Sequence, residues 1–240
     1  MESFAITDIG VKRQVNQDYI YYVENSIGSF PNLFIVADGM GGHKAGDYAS
    51  RTCVDCVADS IKNSQRKTPI SIFEEAINNA NRQVLMDAKS NSEYEGMGTT
   101  FVSAVIIENI LYVANIGDSR LYIINDDGIK QVTQDHSLVE EMIQNGEIER
   151  KESRLHPNKN IITRALGTSE EVAADYFEVE LKKDDVVLLC SDGLSNMMED
   201  EDIMYVVRRY SQLSTAGSKL IEKANACGGK DNISIILIRI

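Results

Sequence analysis

The chain has 240 residues, with 24 lysines and arginines against 37 aspartates and glutamates, a net charge of −13. That length allows one large core, and the acidity argues against nucleic acid or an anionic membrane as a partner. No stretch approaches the roughly 18 apolar residues that span a bilayer, and the opening residues, MESFAITDIG, lack the pattern of a signal peptide.

Strands are predicted over 4–9 and 19–23, joined by a polar link that carries Lys12, Arg13 and Asp18. The planar guanidinium of Arg13 suits a phosphate better than an ammonium does. Residues 33–37 then form a continuous apolar run, closed at once by Asp38, Gly39 and further glycines. Such a run reads as a strand buried on both faces, with Asp38 at its end, where the chain turns. A carboxylate placed there is costly unless a cation or hydrogen bonds compensate it. The glycines let main-chain carbonyls approach the same spot, so the stretch reads as the floor of a hard-cation site.

Two helices are expected next, over 45–63 and 70–90, the second with Pro69 in its first turn. Cys53 and Cys56 fall three apart in the first of them; with Cys190 and Cys227 they make no disulfide framework and no complete zinc site, which points to structural thiols and a reduced, cytoplasmic compartment. Strands follow over 99–107, 110–116, 119–124 and 129–132, with a hairpin turn at 125–128. Ser137 and Glu140 make a capping-box pattern before a short helix over 138–145. The stretch 146–172 is polar and charged, with core contacts offered by Ile161, Ile162, Ala165 and Leu166, and reads as a connector or a lid. Strands over 176–181 and 185–190, helices over 200–210 and 214–226, and a last strand over 233–240 complete the chain. The order predicts an α+β fold of two mainly antiparallel sheets packed face to face, a helix pair outside each, in a single domain over 1–240.

Four more strand edges carry an aspartate: Asp18, Asp118, Asp192 and Asp231. Together with Asp38 they make an all-oxygen donor set, which selects Mg2+ or Mn2+ over zinc or copper. Two such ions about 3.5–4 Å apart would relieve the repulsion between the carboxylates and activate a water for in-line attack on a phosphoryl group. With Arg13 as a phosphate clamp, these are the parts of a metal-dependent phosphoester hydrolase.

Eight segments in order carry a family resemblance: GVKRQVNQD (10–18), VADGMGGHKAG (36–46), GTT (98–100), ANIGDSR (114–120), TQDHS (133–137), NIITRALG (160–167), LCSDGL (189–194) and GKDNIS (229–234). The chain resembles the metal-dependent serine/threonine protein phosphatases of the PPM/PP2C type, in their compact bacterial form. That resemblance implies a four-layer α-β-β-α sandwich and hydrolysis of phosphoserine and phosphothreonine in proteins, opposing a Ser/Thr kinase of the same cell. By the same resemblance Asp38 bridges two ions, the Gly39 carbonyl completes one shell, Asp192 and Asp231 hold the first ion and Asp18 acts on the second. Asp118, with Asp192, takes a third ion; Arg13 grips the substrate phosphate; and 146–172 contains the flap beside the site. Animal members have a histidine where this chain has Met40, which leaves His43 either as the candidate proton donor or as a cap of the glycine loop, and Gln17 stands where many members have glutamate. A catalytically silent metal- and phosphoprotein-binding module of the same fold is the rival reading, and the acidic charge leans toward a monomer.

Overall fold

The apolar run at 33–37 lies in a strand with both faces covered. The computed structural model describes residues 1–42 and 45–240 of the chain; β3 (Leu33–Met40) follows β1 (Glu2–Asp8) and β2 (Asp18–Val23). Leu33, Ile35 and Ala37 pack toward helices, whereas Phe34 and Val36 enter a core shared with a second sheet. Period-two alternation with no face left to solvent explains why the run holds no polar residue before Asp38.

Helices α1 (Ala45–Asn63) and α2 (Pro69–Ser90) cover the outer face of that sheet. Thr68 caps α2 from its side chain, and Pro69 occupies the first turn. Strands β4 (Gly98–Thr99), β5 (Phe101–Ile107), β6 (Ile110–Ile116), β7 (Arg120–Asn125) and β8 (Gly128–Gln131) follow. Next come the short helices α3 (Leu138–Gln144) and α4 (Arg150–Ser153), then β9 (Asp175–Glu180) and β10 (Val186–Cys190). The chain ends with α5 (Asp192–Ser195), α6 (Asp200–Arg209), α7 (Leu213–Ala226) and β11 (Ile233–Arg239).

One sheet runs β1-β11-β10-β7-β8 and the other β2-β3-β5-β6-β9, with β4 paired to β3. The pairings are antiparallel. Apolar side chains fill three layers: under α1 and α2, between the sheets, and under α6 and α7. The expected α-β-β-α sandwich is therefore the observed one. Among the described residues no helix is long and apolar enough to cross a membrane, and Cys53, Cys56, Cys190 and Cys227 are free thiols.

Several local expectations change. Asp38 does not end its strand in a turn: β3 continues to Met40 because Gly39 and Met40 pair with Thr99 and Gly98 of β4. Asp192 opens helix α5 rather than a simple turn. Only half of the expected capping box forms, since Ser137 Oγ accepts the Glu140 N–H at 3.3 Å while the Glu140 carboxylate is taken by Arg150 at 2.8 and 3.1 Å. In the polar stretch, Ala165 and Leu166 are buried, but Ile161 is exposed. That stretch is stitched down: Leu166 exchanges both backbone hydrogen bonds with Thr99, at 2.9 and 3.0 Å, and Gly167 N–H donates to the buried Asn81 at 2.8 Å.

The β3–β5 register is held at its far end by a side chain. Asn32 is buried, donates to the Ile106 carbonyl and accepts the Ile106 N–H, both at 2.8 Å. It thereby extends the ladder Phe34↔Ala104, Val36↔Val102 by one more rung. Asn32→Ala strands two buried backbone groups, and is expected to cost about 2–3 kcal/mol. A urea titration should show a lower midpoint at unchanged slope; an unmoved midpoint would show that the rung carries no load.

Candidate active site

At one end of the sandwich the face between the sheets turns from apolar to polar. The inter-sheet core takes Phe34 and Val36 from β3, Val102 from β5, Leu121 from β7, Leu189 from β10 and Ile236 from β11. Two residues further along each path stand Asp38, Thr100, Ser119, Ser191 and Ser234, and Asp18 stands two residues before Ile20 of β2. The same alternation that fills the core thus aims a ring of hydroxyls and carboxylates into its open end.

Hydrogen bonds join the sheets there. Thr100 Oγ1 and Ser119 Oγ lie 2.7 Å apart, and Thr100 also accepts the Asp38 N–H at 2.9 Å. Ser191 donates to Asp18 Oδ2 at 2.7 Å and accepts the Ser234 N–H at 2.9 Å. Gly39 and Gly193 allow close backbone approach: a Cβ at Gly39 would meet the Gly46 carbonyl, and one at Gly193 the Asn232 carbonyl.

Asp18 and Asp38 are directly opposite each other on β2 and β3. Like charges in that relation destabilise a sheet, and here both are desolvated. Burial, and then Asp192 and Asp231, push Asp18 up to about 7, against the pull of Ser191 and Ser234. Burial and the neighbouring Asp18, Asp192 and Asp118 hold Asp38 well above the ordinary carboxylate range. Asp192 rises to about 6, chiefly through burial and Asp231, and Asp118 is raised by burial, Asp192 and Asp135. Asp38, Asp118, Asp192 and Asp231 line one cavity, and Asp18 stands opposite Asp38 across the ladder.

Two of the carboxylates are half-satisfied. Ser191 takes one oxygen of Asp18 and Asn196 one of Asp192, at 2.8 Å, while Asp18 Oδ1 and Asp192 Oδ1 are buried without a hydrogen-bond partner. Arg13 donates to Asp231 Oδ2 at 2.6 Å. A cavity of about 230 Å3 opens onto these groups, lined by Arg13, Asp38, Gly39, Asp118, Asp192 and Asp231, together with Gln17, Met40, Thr100 and Ile162. Among the described residues no three His, Cys, Asp or Glu side chains are grouped as a set that could by itself hold a metal ion. The orphaned oxygens and the all-oxygen donor set nevertheless fit a hard divalent cation. His43 lies outside the described residues.

Several organising residues had no sequence signal of their own. Asn232 donates to the Ile9 and Val15 carbonyls, both at 3.0 Å, and accepts the Gln17 N–H at 2.8 Å, tying down both ends of the loop that carries Arg13. Arg120 forms a bidentate pair with Asp135 at 2.7–3.0 Å next to Asp118. His136 accepts the Gly117 N–H at Nδ1, 3.1 Å, and faces Asp175 at Nε2, 3.2 Å. These lie in the GKDNIS, ANIGDSR and TQDHS segments, where only the pattern as a whole pointed to them. A larger hollow of about 520 Å3 lies between Asp126 and Lys182 at the end of β7. Its charges pair with each other, as in Arg208–Asp126 and Lys182–Asp127.

Residues 23–233 match the family model described as protein phosphatase 2C. A serine/threonine phosphatase stp of Listeria innocua is 39% identical over 236 residues, covering 97% of this chain and 93% of the relative. The structure of the S. agalactiae serine/threonine phosphatase superposes with a TM-score of 0.92 at 34% identity, covering 100% of this chain and 99% of that one. The catalytic domain of the serine/threonine protein phosphatase PstP, solved in complex with two manganese ions, gives a TM-score of 0.85 at 30% identity, covering 98% and 96%.

Because Asp38 faces Asp18 across a ladder, Asp38→Asn is expected to stabilise the protein in chelator-treated buffer, by up to about 1 kcal/mol. The urea midpoint reads this directly; a lower midpoint than wild type would contradict the repulsion argued above.

Proposed function

Since the chain belongs to the protein phosphatase 2C family and is a protein-serine/threonine phosphatase, we propose that Asp18, Asp38, Asp192, Asp231 and the Gly39 carbonyl hold two Mn2+ or Mg2+ ions. When bound, such a pair activates a water for in-line attack on the phosphoryl group and offsets the charge that develops there. The observation that supports this most directly is the Asp18–Asp38 cross-strand pair with an unpartnered, buried carboxylate oxygen beside it. A buried arrangement of that kind is costly in water alone, and divalent cations compensate it.

The remaining roles fall to the chain itself. Asp38 would be shared between the two ions, a role supported by its place opposite Asp18 on β2 and by the influence of Asp192 on its carboxyl. Ser191 and Asn196 orient Asp18 and Asp192 by holding one oxygen of each, which leaves the other without a protein partner. Asp118 shares the cavity wall with Asp192 and is proposed to hold a third, weaker ion with it. Arg13 uses one N–H on Asp231 and keeps further donors of its planar fork for the substrate phosphate. His43 is proposed as the proton donor to the leaving serine or threonine oxygen.

The phosphoserine or phosphothreonine leaves as the free hydroxyl and inorganic phosphate, and the biological setting proposed is reversal of a Ser/Thr kinase of the same cell, in the cytoplasm. The silent-module reading is disfavoured because Asp38, Asp118, Asp192, Asp231 and Arg13 line one cavity, with Asp18 paired opposite Asp38.

Hydrolysis of p-nitrophenyl phosphate should require added Mn2+ or Mg2+ and stop with chelator; turnover independent of metal would defeat the proposal. Asp38→Asn and Asp192→Asn should each abolish it nearly completely, and Asp118→Asn should lower it while the first two ions still bind, as calorimetry would count. Full activity in Asp118→Asn would make a third ion dispensable. Arg13→Ala removes charge-assisted hydrogen bonds made alike to substrate and transition state, so KM should rise roughly tenfold or more with kcat little changed. An unchanged KM would take Arg13 out of the site.

A further inference from the structure

The loop between β1 and β2 brings Arg13 to the wall of the cavity. Its large apolar residues, Ile9, Val11 and Val15, are exposed, so burial does little to fix its path. Hydrogen bonds take that task. Before Arg13, Asp8 accepts the Gly10 N–H at 2.8 Å, and the Gly229 carbonyl accepts the Val11 and Lys12 N–H groups. Gly10 has a φ of +79°, and a Cβ there would meet the Asp231 carbonyl. After Arg13, Asn16 donates to Thr7 at 2.8 Å. The bonds that reach both sides of Arg13 come from Asn232.

Asn232 is buried, and its amide is spent on this loop. Nδ2 donates to the Ile9 and Val15 carbonyls, both at 3.0 Å, and Oδ1 accepts the Gln17 N–H at 2.8 Å. The partners fix which way the amide points, since two carbonyls need donors and an N–H needs an acceptor. A ring then closes through the site: Arg13 donates to Asp231 Oδ2 at 2.6 Å, and Asp231 Oδ1 accepts the backbone N–H of Asn232 itself at 2.8 Å. The ion pair is the weaker fastening in that ring. Arg13 is half-exposed, where an ion pair contributes little, and Asp231 is the residue read as an ion's ligand. The buried amide depends on neither salt nor metal.

We propose that Asn232 is the positioning residue of the phosphate clamp: its side-chain amide holds the 9–17 loop so that the Arg13 guanidinium stands ready at the cavity before substrate arrives. The inference rests on the placement of the scissile phosphate at Arg13. Asn232 is buried and acts through Arg13 rather than on the phosphate. Ordering a long arginine on an exposed loop at the moment of binding would cost affinity, and a loop already fixed avoids most of that cost. Loss of the amide therefore weakens the grip on phosphate in the ground state and the transition state alike, which shows in KM more than in kcat.

The test is a cycle of Asn232→Asp and Arg13→Ala, read on a phosphothreonine peptide at saturating Mn2+. Asn232→Asp keeps the shape and the acceptor for Gln17 but turns an oxygen toward the Ile9 and Val15 carbonyls. It should raise KM roughly tenfold with kcat little changed, and should add less than about twofold in Arg13→Ala, whose clamp is already gone. Trypsin should also nick the Asn232→Asp loop at Lys12 and Arg13 several-fold faster than the wild-type loop, because local opening exposes those bonds. Asn232→Ser, neutral and too short to reach both carbonyls, should move both readouts the same way, which keeps the test decisive if the added carboxylate disturbs ion binding or folding. An unchanged KM in both Asn232 variants, nicking at the wild-type rate, or a loss that multiplies in full onto Arg13→Ala would overturn the positioning role alone; the last is what a merely structural residue gives. An unchanged KM in Arg13→Ala itself would overturn the phosphate placement beneath it as well.

Discussion

The structure depends on one surface changing character along its length. Where the sheets face each other over most of their span, the alternation of β3, β5, β7, β10 and β11 supplies branched and aromatic side chains. At one end, the same alternation supplies Asp38, Thr100, Ser119, Ser191 and Ser234 instead. The sheets cannot close there by the hydrophobic effect, and hydroxyl bonds across the gap hold them instead, notably Thr100–Ser119 and Ser191–Asp18. A site placed at the end of an inter-sheet core takes its rigidity from that core, because shifting any one carboxylate would mean shifting a strand buried on both faces.

That arrangement carries a cost in stability. Burial and mutual repulsion raise Asp18, Asp38, Asp118 and Asp192 together, so the folded chain is strained against its own charges where the reading places the ions. Binding there would then contribute stability as well as chemistry. Arg13 eases part of the strain through Asp231, but it is half-exposed and sits at the mouth, where it does not fill the space between Asp18 and Asp38. The loop that bears it is fastened by Asn232 and by the Gly229 carbonyl, which accepts the Val11 and Lys12 N–H groups at 2.8 and 3.1 Å. A residue meant to grip a mobile substrate is thus itself held by a fixed frame.

Much of this was legible in the chain, for physical reasons that can be named. The run at 33–37 had to be covered on both faces, and the strand order between two helix pairs had few other packings. The aspartates were readable because they recur at the edges of the strongest apolar strands, where any one alone could be a common Asp-Gly turn. What escaped reading was everything set by pairing between distant segments. Nothing local says that Asp38 continues in a ladder, since that depends on β4, some sixty residues later. Ile161 looked like core by composition and is exposed, while Leu166, paired to Thr99 of β4, and Ala165 are buried. Ser191 and Asn232 are ordinary residue types, and only the fold shows that each organises a neighbour.

The choice of hydroxyls, rather than ammonium groups, beneath the carboxylates follows from the same logic. A lysine at position 191 or 100 would neutralise Asp18 or Asp38 and relieve the repulsion, but it would also occupy the oxygens that must stay available. A serine satisfies one lone pair and carries no charge, so Asp18 keeps its second oxygen unpartnered. Asn196 does the same for Asp192. Neutral donors on the protein side leave those oxygens free, while Arg120 beside Asp118 is engaged by Asp135 and Arg13 stands half-exposed at the mouth. A negative floor with Arg13 at its mouth is the pattern that can draw a divalent ion inward and a phosphate to the opening, with neither displacing the other.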